Sequence, residues 1–208
     1  IAVDPVVNST LLNIGRMISA AAEQSPIIMG FLLGGIMKMI CTSPLSSMAL
    51  TAMLGLDGLA MGIAAIACVG GSFTNGIIFD RLKLGERSNV IAVMLEPLTQ
   101  ADIITQNPIP IYGSNFFGGG LAGLAAAMLG IINNAPGTAS PIPGLLAPFG
   151  FNPPLKVVAA IVLAAIGGCL AGFVGSIVFK GFAKTPADIK ASERVTETIA
   201  PEVAIAAE

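Results

Sequence analysis

The sequence predicts an all-α polytopic membrane protein, a transmembrane helix bundle with re-entrant hairpins, and three observations carry that expectation. No charged residue occurs from Gly58 to Phe79 or from Val157 to Phe179, and each run exceeds the roughly 20 residues a helix needs to cross about 30 Å of hydrocarbon. Only 11% of the 208 residues are charged, against about a quarter in soluble domains, and mean hydropathy is +0.86. Between the apolar runs lie segments broken by proline and amides, above all EPLTQADIITQNPIPIYGSNFFGGGLAG from Glu96 to Gly123.

Ile1 to Ala22 reads as a moderately apolar helix, opened by Asp4-Pro5 because proline suits the first helical position and aspartate complements the N-terminal dipole. Ser25-Pro26 repeats the signal for a second apolar helix to about Ile40, with Lys38 near its end expected to snorkel. CTSPLSS, Cys41 to Ser47, then breaks the chain, and Met48 to Leu56 is too short to span. A re-entrant hairpin and an ordinary loop are both open here. Ile1 follows no charged leader, so no signal peptide is expected. Further membrane segments before Ile1 would make this the later part of a longer domain.

Gly58 to Phe79 is the first clear span, with Asp57 as its N-cap, and it ends in DRLKLGER. The basic residues of that loop, and Lys180, Lys184, Lys190 and Arg194 beyond the last span, mark two cytoplasmic positions. An even number of crossings must separate them. Gly113 to about Ile132 and Val157 to Phe179 supply two, which leaves Ser88 to Tyr112 to enter and leave on one side. Asn89 to Leu95 descends only partway before Glu96 and Pro97 stop it.

Asn133 to Pro154 contains six prolines and three glycines, so it cannot be one helix. Long and uncharged apart from its flanks, it is expected to be a lid or a second re-entrant element. Thr185, Pro186 and Asp188 read as N-cap, N1 and N3 of a short helix in a charged, solvated tail. Glycines four apart at Gly30/Gly34, Gly58/Gly62, Gly119/Gly123 and Gly168/Gly172 permit close helix approach without identifying which faces meet.

The chemistry concentrates around Glu96. A carboxylate at a helix centre in the bilayer costs about 2.5 to 3.5 kcal/mol on insertion scales, so Glu96 and Asp102 are candidates for function if they lie at membrane depth. Gln100, Asn107, Asn115 and Asn134, with the nearby hydroxyls and amides, extend a surface that can both donate to and accept from sugar hydroxyls. Without arginine or lysine in this window, a neutral polyol fits better than a phosphate. Asn75, inside the first clear span, is expected to hydrogen-bond to a neighbouring helix.

Other chemistry is disfavoured. There is no histidine, and Cys41, Cys68 and Cys169 have no paired spacing, so no metal site and no cofactor are expected and the cysteines read as packing residues. No Ser/His pair suggests a hydrolase. The glycine triplet at 118 to 120 lacks the context of a nucleotide loop, and no basic patch suggests nucleic acid.

Glu96-Pro97, Asn107-Pro108 with Pro110, the glycine-rich helix and NNAPGTASP together resemble the IIC sugar permease component of bacterial phosphotransferase systems, in a branch without fused IIA or IIB modules. SPIIMGFLLGGIM and TSPLSSMALTAMLGL add to the likeness, which covers about Ile1 to Phe182 and leaves 183 to 208 as a charged cytoplasmic tail. It implies a multi-pass protein of the bacterial plasma membrane that binds sugar through a hairpin glutamate, here Glu96. It further implies a homodimer and IIB and IIA partners acting in trans. The sequence departs from the family pattern in having no histidine near the sugar, and it shows no phosphoryl-carrying residue of its own. An ion-coupled secondary transporter of a small polar solute and a non-transporting membrane sensor are the alternatives.

Overall fold

The computed structural model describes residues 3–188, and among them every regular element is helical, with no strand. Nine α-helices run α1 (Val3–Gln24), α2 (Pro26–Thr42), α3 (Ser47–Met53), α4 (Gly58–Leu82), α5 (Arg87–Leu95), α6 (Ala101–Gln106), α7 (Pro108–Met128), α8 (Pro141–Leu146) and α9 (Pro154–Val178). Proline sits at the first or second position of α2, α7, α8 and α9, where its missing N–H costs nothing. The helix start expected at Ser25-Pro26 therefore appears where the sequence places it, whereas α1 is already helical at Val3, before Asp4-Pro5. Asp57 occupies the N-cap position of α4, but its side chain makes no capping bond.

α4 is the axis of the molecule. From Ala60 to Gly71 every residue is buried, and its outer turns touch α2, α7, α8 and α9. Small residues make this possible. Gly168 of α9 lies against the Gly70 carbonyl and Gly172 against Thr74 and Ile77, while Thr74 Oγ1 donates to the Gly168 carbonyl at 3.0 Å. These contacts rise together along both helices, so α4 and α9 are parallel.

α2 and α7 also approach closely, and their contact joins two of the glycine pairs. A Cβ on Gly34 would stand 2.5 Å from the Gly119 carbonyl oxygen, and one on Gly30 would stand 3.0 Å from that of Gly123. The helices are antiparallel, with Gly30 opposite Gly123 and Ala127, and Gly34 opposite Gly119. Phe31, Phe116 and Phe117 close the flank in edge-on contacts of 5.6 and 5.7 Å.

Parallel α4 and α9 bring the two basic markers to one end of the bundle. There Arg81 Nε donates to Ser176 Oγ at 2.7 Å and its guanidinium covers the Phe173 ring at 4.3 Å. Lys83 takes the left-handed conformation that ends α4. Thr185 and Asp188 cap each other, as expected, with the Thr185 N–H and hydroxyl donating to the carboxylate at 2.8 and 2.7 Å. The rest of the predicted tail lies outside the described residues.

Two helices, α4 and α9, are long and apolar enough to cross a bilayer. They differ in surroundings, since α9 presents Leu155, Ile166, Leu170, Val174 and Ile177 outward, Leu155 being 82% exposed. Such a continuous apolar face is unstable against water and calls for lipid or protein cover. α7, read from the sequence as a further crossing, has 21 residues but carries Ser114, Asn115 and many glycines, which lower its hydropathy.

Lys38 departs from expectation. It does not snorkel but is fully buried, because it projects from the inner face of α2 while Leu32 and Ile36 occupy the outer one. Its stem lies over Gly71 of α4 and Gly119 of α7, two positions with no side chain to exclude it.

Candidate functional site at the meeting of two hairpins

Three segments turn back toward their starting end of the bundle, and their turns converge halfway along α4. The first hairpin follows α4 directly. Leu84 is buried and the Glu86 and Asn89 side chains cap α5 reciprocally, after which α5 climbs beside α4 until Met94 rests on Gly76. At Glu96 the backbone becomes extended and α5 ends, since Pro97 cannot continue the hydrogen bonding. A short 3-10 turn, Pro97–Gln100, and α6 then return the chain.

Asn107 closes the base of that hairpin. Its Oδ1 accepts from the Lys184 N–H at 2.7 Å, and its Nδ2 donates to the Lys184 and Ile103 carbonyls at 3.2 and 3.1 Å. Entry and exit of the segment expected to be re-entrant therefore lie at the same end, beside the Lys83 and Lys184 markers.

The second hairpin enters from the opposite end. Gly130, in left-handed conformation, stops α7 and the Asn133 N–H donates to the Gly58 carbonyl at 2.9 Å. The turn is built by Asn133, whose Oδ1 accepts from the Ala135 N–H at 3.0 Å and whose Nδ2 donates to Thr138 Oγ1 at 2.8 Å. From Ser140, α8 runs back with Gly144 packed on the Ala65 backbone. Asn152 closes this base, accepting from the Ile132 N–H at 3.0 Å and donating to its carbonyl at 2.7 Å.

The tips touch through one bond, in which Ser140 Oγ donates to Glu96 Oε2 at 3.4 Å. The break after α2 arrives at the same level, and Ser47 Oγ donates to the Ala139 carbonyl at 2.5 Å. α3 then carries the chain on to Gly58, where α4 begins. Beside Glu96 an apolar groove of about 190 Å³ opens between Leu95, Pro141, Leu145 and Phe73.

The six predicted site residues are distributed unevenly about this point. Glu96 stands at the tip, exposed apart from its contact with Ser140. Gln100 accepts from Asn89 Nδ2 at 2.7 Å and donates to the Thr99 carbonyl, bracing the first hairpin internally, and Asp102 is exposed on α6. Asn107 is at the hairpin base, and Asn134 is at the other end, accepting from the Gly58 N–H at 3.1 Å. Asn115 is buried against α4, its Nδ2 donating to Asn75 Oδ1 at 2.6 Å and to the Ile111 carbonyl at 2.9 Å. Asn75 thus makes the interhelical bond expected of it.

A polar group that the sequence-based set enters only at Asn115 lies along α2, α4 and α7. Lys38 Nζ, Thr42 Oγ1, Asn75 Nδ2 and Asn115 Oδ1 are buried atoms with no partner among the described residues. Lys38 and Thr42 are one turn apart on α2. Asn75 and Asn115 are one turn along their own helices from Gly71 and Gly119, which cradle Lys38. Ser47 and Ser140 were likewise hidden, and the only signal for any of these was a polar residue inside an apolar run.

The arrangement can bind hydroxyl groups through the Glu96 carboxylate, flanked by the serines of two neighbouring turns. Comparison with known proteins agrees in kind. The family model described as "Phosphotransferase system, EIIC" matches residues 1–190. No curated protein and no solved structure matches significantly. With nearly the whole chain covered by that model, the protein belongs to the EIIC family of the phosphotransferase system.

Proposed function

We propose that the chain is the sugar-translocating subunit of a phosphoenolpyruvate-dependent phosphotransferase system, in which Glu96 accepts hydrogen bonds from sugar hydroxyls. The supporting observation is the placement of Glu96 where hairpins from opposite ends of the bundle meet, its carboxylate accepting from Ser140. A carboxylate held between two turned segments is reached from either end when one of them moves, which is the geometry of discontinuous-helix transporters. In this reading α4, α7 and α9 cross the bilayer and both hairpins are re-entrant. The end bearing Lys83 and Lys184 is cytoplasmic, where IIB and IIA proteins deliver the phosphoryl group in trans.

Gln100, Asp102 and Asn107 serve in this reading to hold or line the first hairpin, while Asn115 and Asn134 anchor the helices and turn facing it. The exposed face of α9 takes lipid or a second copy of the chain in a homodimer. The test is uptake of labelled sugar into vesicles containing the protein, with and without phosphoenolpyruvate and its phosphocarrier proteins. Accumulation of phosphorylated sugar only with the complete set supports the proposal. Accumulation of unmodified sugar on an ion gradient alone overturns it.

A further inference from the structure

We propose that Lys38, Thr42, Asn75 and Asn115 form an anion-accepting subsite, so that the cargo is an acidic sugar bearing a carboxylate. This rests on the reading of Glu96 as the hydroxyl-binding group and adds the chemical class of the substrate. The absence of lysine and arginine around Glu96 in the sequence favours a neutral polyol, but folding brings in a lysine 58 positions earlier.

Three features make the group a built site. Lys38 is fully buried, and its Nζ has no partner among the described residues, an expensive condition for an ammonium unless a ligand compensates it. Its place is shaped for it, since a Cβ on Gly119 would stand 3.1 Å from Lys38 Cγ, and one on Gly71 would overlap the stem. The remaining orphan atoms belong to residues on the same three helices within one turn of that cradle.

The hydrogen-bond inventory selects the ligand. Asn115 Nδ2 donates to the Ile111 carbonyl, which fixes that amide, and Asn75 must then present Oδ1 to it and turn its Nδ2 away. Free capacity is therefore the Lys38 ammonium, the Asn75 amide N–H groups and the Thr42 hydroxyl, against one acceptor at Asn115 Oδ1. A donor-rich site takes an anion. The turn whose Ser140 meets Glu96 is also held by Ser47, five residues beyond Thr42, which brings the carboxylate to the end of α2 that carries Lys38 and Thr42. A monoanionic carboxylate is accommodated there, whereas a phosphate dianion is repelled by Glu96.

The experiment is binding by the purified full chain to D-glucuronate, D-gluconate, D-glucose and glucose 6-phosphate. We expect a carboxylate to bind at least about tenfold more tightly than glucose. Lys38→Met should bring that ratio to about one with glucose affinity unchanged, and Thr42→Val should lower it in part. The same Lys38→Met protein should melt at a higher temperature without ligand, because an unpartnered charge has been removed.

Retention of the carboxylate preference in Lys38→Met overturns the subsite, as does equal binding of glucose 6-phosphate or a Lys38→Met protein that no longer folds. Glu96→Gln separates the two readings. If it leaves all binding intact while Lys38→Met abolishes the preference, the role of Glu96 fails and the subsite stands. If the wild type binds none of the four, the sugar reading fails and this inference with it.

Discussion

The two hairpins meet at their tips yet are fastened to the bundle by different means. The second, from Ile132 to Asn152, is docked backbone to backbone: Gly144 sits on the Ala65 carbonyl, Asn133 bonds Gly58, and Ser47 holds Ala139. The first, from Arg87 to Asn107, meets α4 through side chains, Met94 on Gly76 and Val93 and Ile104 in a cluster with Ile78 and Phe79, and leaves Leu95, Leu98, Thr99 and Asp102 exposed. Methionine adapts to a moving surface, while backbone contact tolerates no displacement. The difference assigns the second hairpin to the frame and the first to the part that can be displaced.

The strongest way to break that contrast is to add bulk at each docking point. Gly144→Leu would drive a side chain into the Ala65 carbonyl, 2.6 Å from the position of its Cβ, and should cost about 3 kcal/mol or more. We expect no monodisperse protein on size-exclusion chromatography. Gly76→Ala on the Met94 contact should cost about 1 kcal/mol and leave a folded chain, because the thioether can shift. Equal damage from both would remove the distinction.

Next come the bases. Asn107→Ala removes a fully buried side chain and leaves the part-buried Lys184 N–H and carbonyl without their partner, at a cost of about 2 kcal/mol, and should accelerate amide exchange through residues 97–106. Asn152→Ala should have a smaller effect, about 1 kcal/mol, since its site is part-exposed and Asn133 still holds the turn. Exchange in residues 133–140 should change little.

At the tips the effects move from stability to binding. Glu96→Gln keeps the shape and removes the charged acceptor, so sugar affinity should fall about tenfold with the melting temperature nearly unchanged. Ser140→Ala should reduce affinity only about twofold, because its bond to Glu96 is long. Unchanged affinity in a folded Glu96→Gln protein would falsify the placement of the sugar.

The smallest effect concerns the cap beside Lys184. The Thr185 hydroxyl and N–H hold the Asp188 carboxyl below its usual range. Its contribution is therefore present above the ordinary aspartate range and lost as pH falls through the lowered value. Asp188→Asn should flatten that acid-side change in helicity of the segment, by circular dichroism, without altering binding.

The sequence made the helices, the hairpin positions and Glu96 legible, because each follows from a local rule. Charge-free runs of sufficient length become α4 and α9, Glu96-Pro97 ends α5, and the prolines after Asn133 open α8 and α9 instead of allowing one long helix. What joins distant segments was not legible. Lys38 looks like a helix-end residue until Gly71 and Gly119 are seen to cradle it, and nothing local indicates that Ser140 faces Glu96 across 44 positions. Glycine spacing showed that helices could approach closely, but only packing pairs Gly30 and Gly34 with Gly119 and Gly123.

The fastening of the tips also defines a fault line. Each hairpin base is clamped by a pair of bonds from one asparagine to a backbone N–H and carbonyl, and the second tip is anchored to α3 through Ser47. Between the tips themselves runs a long hydrogen bond, 3.4 Å from Ser140 to Glu96. Under load a structure parts where it is weakest, and here that plane passes beside the carboxylate. On the proposed placement of the sugar at Glu96, a solute entering that plane would replace the lost bond with its own hydroxyl, so that opening and occupancy would be the same event.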